Sequence, residues 1–203
     1  MTDGHVWVGA DPGGKDNFGV AVLEEGGASE TRCVDCAEDA VKFVILKLHA
    51  RTPTGVGVDA PLWWSSGRSS DRAADRWLRQ RYRLSGGEVQ TANSLKGAAL
   101  VQAAMFIERL RQAVGQLLPV TEVHPKALLK GVSSGDWAVF CARFDIPVGT
   151  PREHERDAII AAIAAREGFG GRWSNDLSLR RLPEEQDPRS YWLAPVHYFW
   201  PEV

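Results

Sequence analysis

The chain has 203 residues, 44% hydrophobic and 25% charged, the proportions of an ordinary globular protein with a core of useful size. A formal net charge of −2 excludes a global basic field that would draw the chain to nucleic acid or anionic lipid, so any polyanion site must be local. No apolar run approaches the ~20 residues that cross a bilayer, which argues against a membrane protein.

The first expected element is a strand over 5–10, with Val6 and Val8 on one face. It ends in Asp11-Pro12-Gly13-Gly14-Lys15, a turn that proline and glycine enforce. A second strand over 18–23 completes a hairpin, and a third is expected over 31–36. That third run holds Cys33 and Cys36 in C-x-x-C spacing, but no second pair completes a zinc site. Buried structural thiols are the reading for these and for Cys141. Few cysteines and a start without basic and apolar signal regions point to a reduced, cytoplasmic protein. Residues 38–49 place Ala40, Val41, Val44, Ile45 and Leu48 at helical spacing. A fourth strand over 55–58 ends in Asp59-Ala60-Pro61.

An arginine-rich stretch then runs from Arg68 to Arg83. Asn93 or Ser94 can cap a long helix reaching about 118, and 119–123 reads as a fifth strand carrying Glu122, followed by His124-Pro125. Short helices are expected over 126–130 and 135–143. Thr150-Pro151-Arg152-Glu153 reads as a capping box with proline at the first helical position. The helix continues over 154–166 until Gly168-Phe169-Gly170-Gly171 stops it. Residues 1–167 are read as one domain with an arginine-rich insertion at about 63–92. Residues 168–203 are read as an aromatic extension packed on that domain or against a second copy.

Asp11, Asp59 and Glu122 each close a strand-like run, and His154 and Asp157 share one helix face because three residues is close to one turn. Ligands gather outside the carboxyl ends of strands in open α/β sheets. Clustered carboxylates repel and invite cations, and their hard oxygens suit Mg²⁺ or Mn²⁺. Taken singly, each acid could be a turn cap, a strand-end tether or one half of a surface ion pair. All four in this order favour a metal site built from Asp11, Asp59, Glu122 and Asp157.

The order of three strands, helix, strand, helix, strand, helices resembles the ribonuclease H-like fold, a mixed five-stranded α/β sheet flanked by helices. Val8-Gly9-Ala10-Asp11, Val58-Asp59-Ala60-Pro61-Leu62, Glu122-Val123-His124-Pro125 and His154-Glu155-Arg156-Asp157-Ala158 resemble motifs of the DUF429 family of predicted nucleases, over about residues 5–167. The resemblance implies metal-binding roles for Asp11, for Asp59 or Glu122, and for Asp157. His154 is similar to the last-helix histidine of Holliday-junction resolvases and joins the catalytic candidates.

Six arginines against two aspartates from Arg68 to Arg83 give a local excess of +4. Arg72, Arg76, Arg79 and Arg83 fall on one face of a continuous helix, with Trp77 and Tyr82 interleaved. Guanidinium forks suit phosphate and aromatic rings stack on bases, and the stretch resembles the arginine-and-aspartate segment that follows Asp-Ala-Pro in the same family, which implies substrate-binding roles for Arg68, Arg72 and Arg76. Lys15 in the turn after Asp11 and His124 beside Glu122 join them. A solvated helix face with Asp71 and Asp75 balancing the charge accounts for the same stretch equally well.

The expected activity is therefore Mg²⁺- or Mn²⁺-dependent phosphodiester hydrolysis of nucleic acid. A nucleotide-binding phosphotransferase competes, because Asp11–Val22 also resembles the first phosphate loop of sugar kinases. So does a non-catalytic module that binds a partner, or a second copy, through Tyr191, Trp192, Tyr198, Phe199 and Trp200.

Overall fold

The computed structural model describes residues 4–63, 71–91, 97–185 and 195–202. Strands β1 (Val6–Asp11), β2 (Phe18–Glu24) and β3 (Ser29–Val34) form an antiparallel meander. Helix α1 (Ala37–Leu48) crosses back and delivers β4 (Gly55–Val58), which lies parallel to β1. Helices α2 (Ala73–Tyr82) and α3 (Gly97–Val114) precede β5 (Val120–Glu122), parallel to β4. Then come α4 (Pro125–Ser133), α5 (Trp137–Arg143) and α6 (Glu153–Phe169). The two-residue strands β6 (Asn175–Asp176), β7 (Val196–His197) and β8 (Phe199–Trp200) belong to the C-terminal segment.

The main sheet runs in the order β3-β2-β1-β4-β5-β7. An antiparallel meander beside parallel central strands, covered by helices, is the expected ribonuclease H-like α/β architecture. Among the described residues the sheet has six strands rather than five, because Val196–His197 pairs in parallel with β5. That strand is two residues long and has no periodicity to betray it.

One further expectation is corrected. Helix α6 begins at Glu153, two residues later than the Thr150 cap implies, and the Arg152 N–H donates to Glu155 Oε2 at 3.0 Å. Its glutamate at the third position serves Arg152 instead of Thr150. The expected caps Asn93 and Ser94 lie outside the described residues.

Helix α6 is the centre of the fold. From Asp157 to Gly168 every residue is buried. It lies on the sheet with its backbone almost touching three strands. A methyl group at Gly9 of β1 would overlap the Ala158 carbonyl, one at Gly57 of β4 the Ala161 carbonyl, and one at Gly19 of β2 the His154 carbonyl. Gly9 and Gly57 are register partners, and Gly19 pairs with Asp11. Three glycines thus clear a shallow trough, and Ala158, Ala161 and Ala162 lie against it. On the opposite face, Phe106 of α3 meets Phe18 with ring centroids 5.7 Å apart. Neighbouring residues on a strand point to opposite sides, so Phe18 and Gly19 serve different helices.

The aromatic C-terminal segment is built into this same body. Tyr198 and Trp200 are fully buried, and Trp200 Nε1 donates to Tyr82 Oη at 2.8 Å. These two rings are spent on the chain's own core rather than offered to a second copy. Tyr191 and Trp192 lie outside the described residues. Among the described residues no helix is long and apolar enough to cross a membrane.

Gly57→Ala is expected to destabilise the protein by about 1–3 kcal/mol or more, because a packed backbone carbonyl must move. Gly26→Ala, where an added methyl meets nothing, should stay within ~0.5 kcal/mol. Urea denaturation of both variants measures the difference.

Candidate metal centre

The parallel pairing of β1 with β4 sets Asp11 and Asp59 side by side. The ladder continues one step past β4, where the Asp59 N–H donates to the Ala10 carbonyl at 2.8 Å. The first turns of α6, held down over Gly19 and Gly9, bring Asp157 to the same place. Carboxylate oxygens of Asp11, Asp59 and Asp157 all lie within 4.8 Å of one another. They open into a cleft of about 400 Å³ that His124, Lys126 and His154 also line.

Burial is the main force on all three acids. It raises the Asp11 carboxyl above its ordinary range, against the lowering effect of His154. It raises Asp59 well above that range, and the charges of Asp11 and Asp157 push the same way. Asp157 is raised too, with Arg156 opposing. Arg156 Nη2 reaches Asp157 Oδ1 at 2.9 Å, leaving the second oxygen outside that pair. His154 Nδ1 meets Asp11 Oδ2 at 2.6 Å, and this hydrogen bond raises the histidine pKa. Three carboxylates that resist joint ionisation, grouped at ligand spacing, form an oxygen donor set that suits a hard divalent cation.

Lys126, which sequence reasoning missed, is the second residue of α4 and reaches across the cleft mouth to Glu153 at 2.9 Å. Its signal was present: the residue after His124-Pro125 falls in the first turn of the helix that leaves β5. Lys15, a predicted substrate contact, is exposed in the turn after Asp11.

Glu122 stands apart from the three aspartates. Its group, among the described residues, is Asp75 and His124, and Arg72 fills the space between. Arg72 is fully buried. Its Nε and Nη2 donate to Asp75 at 2.8 and 2.7 Å, and its Nη1 donates to Glu122 Oε2 at 2.8 Å. Nη2 also bonds Glu122 Oε1, and the Leu62 N–H donates to Glu122 Oε2 at 2.9 Å. The guanidinium lies 4.3 Å from the centroid of the Trp63 ring. Burial lifts the Glu122 pKa to about 6, with Arg72 opposing.

Two expectations change as a result. Glu122 is engaged by an arginine and a backbone N–H rather than offered to a metal, and Arg72 is a structural cation rather than a substrate contact. Arg72 precedes α2 with an extended backbone, φ −76° and ψ 153°, so it leaves the helical face shared by Arg76 and Arg79 and turns inward. Arg79 pairs with Asp71, Arg76 donates to the Asp71 carbonyl at 3.2 Å, and Arg83 caps the helix in a left-handed conformation. Arg68 lies outside the described residues.

A larger cavity, about 740 Å³, lies at the opposite end of β1 and α6, against Trp7, Arg166 and Trp173. Arg166 is bonded to Glu167 and to the Phe144 carbonyl at 2.8 and 2.7 Å, and Arg172 is bonded to the same Glu167. Size favours that cavity, but its buried charges Arg166 and Glu167 satisfy one another. The strained carboxylates are in the smaller cleft, and perturbed groups mark chemistry better than volume does.

No protein-family model and no curated protein matches the chain. Among solved structures it is similar to RuvC of Thermus thermophilus in complex with a Holliday junction substrate. The TM-score is 0.46 at 14% identity, over 83% of this chain and 95% of that one. A second Thermus thermophilus RuvC structure gives 0.39 at 19% identity, over 82% and 95%.

Two outcomes follow from these electrostatics. A carboxyl whose folded pKa is raised contributes stability below its unfolded value of about 3.9 and loses it as pH rises through the folded value. Without divalent cation, Asp59→Asn should therefore melt higher than wild type, by a margin that is absent near pH 4 and widens as pH rises. Arg72→Met leaves Glu122 and Asp75 buried without their cation and is expected to cost about 3–5 kcal/mol. Thermal and urea denaturation read these two effects.

Proposed function

We propose that the protein is a divalent-cation-dependent nuclease that hydrolyses phosphodiester bonds at the cleft formed by Asp11, Asp59 and Asp157. The observation that carries this reading is the convergence of those three carboxylates within 4.8 Å, from two parallel strand ends and the first turns of α6. Asp11, Asp59 and Asp157 would hold Mg²⁺ or Mn²⁺, which supplies a lowered water pKa and charge stabilisation at the leaving oxygen, in a two-metal arrangement of the general kind.

The remaining groups divide the work. His154, fixed on Asp11 at 2.6 Å and lining the cleft, would accept or return a proton there. Lys126 places an ammonium at the mouth, where it attracts a phosphate and offsets the aspartate charge through the cleft. Exposed Lys15 and half-buried Arg76 are left as more distant backbone contacts. The −2 net charge keeps nonspecific duplex affinity low, because phosphate neutralisation supplies most of it. Specificity must then come from the shape presented at the cleft.

Asp11→Asn should abolish Mn²⁺-dependent cleavage of labelled DNA and RNA oligonucleotides while leaving the melting temperature equal or higher. Calorimetry should show Mn²⁺ binding to wild type that is weakened at least tenfold in the variant. Wild-type protein that binds no Mn²⁺ removes the metal site, and cleavage that survives in the purified variant removes the assignment of Asp11.

A further inference from the structure

His124 stands between the acidic cleft and the buried C-terminal segment. It lines the acidic cleft, yet its Nδ1 is turned inward, 2.5 Å from the hydroxyl of buried Tyr198. The two rings lie nearly parallel, at 19° with centroids 5.8 Å apart. Tyr198 comes from the short link between β7 and β8 and is held rigidly. Its N–H donates to Asp176 Oδ1 at 2.8 Å, and its carbonyl accepts from the Leu177 N–H at 2.8 Å. The next N–H, of Phe199, donates to Thr121 Oγ1 at 3.1 Å. Trp63 meets the phenol ring nearly edge-on at 72°.

The direction of the Tyr198–His124 hydrogen bond follows from what surrounds it. Burial keeps the phenol protonated, well above its usual range. A buried O–H left without an acceptor costs about 1–3 kcal/mol. The carboxylates nearest to hand are engaged, since Arg72 binds both Glu122 and Asp75. Glu122 Oε1 is 3.8 Å from Nδ1, beyond hydrogen-bond reach. Nδ1 is then the acceptor and carries no proton. Burial lowers the His124 pKa to about 4, so the ring is neutral at pH 7 and its one proton sits on Nε2, the nitrogen left to the cleft.

We propose that Tyr198 is a positioning residue that fixes His124 as its Nε2–H tautomer, and that this N–H donates to a non-bridging oxygen of a phosphodiester in the cleft. The second half rests on the nuclease reading above. A neutral donor is the suitable kind beside Asp11, Asp59 and Asp157: it binds an oxygen without competing with cations for the carboxylates, as a second ammonium would. The C-terminal segment thereby contributes to the site without touching it.

Long-range ¹H–¹⁵N correlation spectra of histidine-labelled protein test the first half directly. The wild-type spectrum should show the proton on Nε2, with Nδ1 shifted as a hydrogen-bond acceptor. In Tyr198→Phe the Nδ1 resonance should move to the position of a free acceptor. A proton on Nδ1 in wild type, or an Nδ1 resonance unmoved by the substitution, overturns the proposal. For the second half, fluorescence anisotropy with a single-stranded oligonucleotide in Ca²⁺ should show about tenfold weaker binding for His124→Ala. Tyr198→Phe should weaken it less, and Mn²⁺ affinity should hold in both variants. Unchanged oligonucleotide binding in His124→Ala overturns the contact to substrate. Wild-type protein that binds no oligonucleotide sinks the nuclease reading instead, and the spectra still decide the role of Tyr198.

Discussion

Everything about the candidate site depends on how closely α6 approaches the sheet. Side chains normally hold a helix about 10 Å from a sheet. Here Gly9, Gly19 and Gly57 remove them from three adjacent strands, and Ala158, Ala161 and Ala162 remove bulk from the helix. Backbone rests on backbone. The approach places the short side chain of Asp157 among those of Asp11 and Asp59. Aspartate reaches only two bonds past Cβ, so a helix raised by a side chain's thickness would leave Asp157 short of its partners. The cluster is therefore a product of glycine placement as much as of the acids themselves.

This also explains what could be read in advance. Strand ends, helix spacing and the order of elements were legible, because turns, periodicity and capping leave local marks. Asp11, Asp59, His154 and Asp157 were legible as candidates for the same reason, each standing at a recognisable end. Glu122 looked identical to them in sequence, at the close of a β-branched run. What separates it is Arg72, fifty residues earlier, whose backbone leaves the helical path one residue before α2 begins. No local pattern records that an arginine at a helix boundary folds inward over Trp63. The sixth strand was hidden too, being two residues long, and its partner β5 is remote in sequence.

The buried assembly of Arg72, Asp75, Glu122 and His124 is a second polar centre, and its logic is the reverse of the first. In the cleft, His154, Arg156 and Lys126 offset the gathered carboxylates only in part, and burial still raises all three. Behind it, carboxylates are gathered around a cation that leaves no room for another. The two centres share His124, whose ring forms the wall between them. Charge is thus concentrated in two adjoining compartments, one closed by protein and one available to ions.

The parallel pairing of β7 with β5 has a bearing on how the molecule comes together. β5 lies between β4 and β7, and its three residues can complete their ladder only when a segment far along the chain has returned to them. Long sequence separation makes such closure slow relative to hairpins. The meander β1-β2-β3 can form at once, and α6 can settle into its glycine trough, while the edge beyond β5 still waits. During that interval Thr121, Arg72 and His124 lie beside an uncovered border. A chain that stalls there would have an acidic cleft already shaped but its inner wall unsealed, a state in which water reaches the ion-paired interior and the strand edge invites pairing with a neighbour.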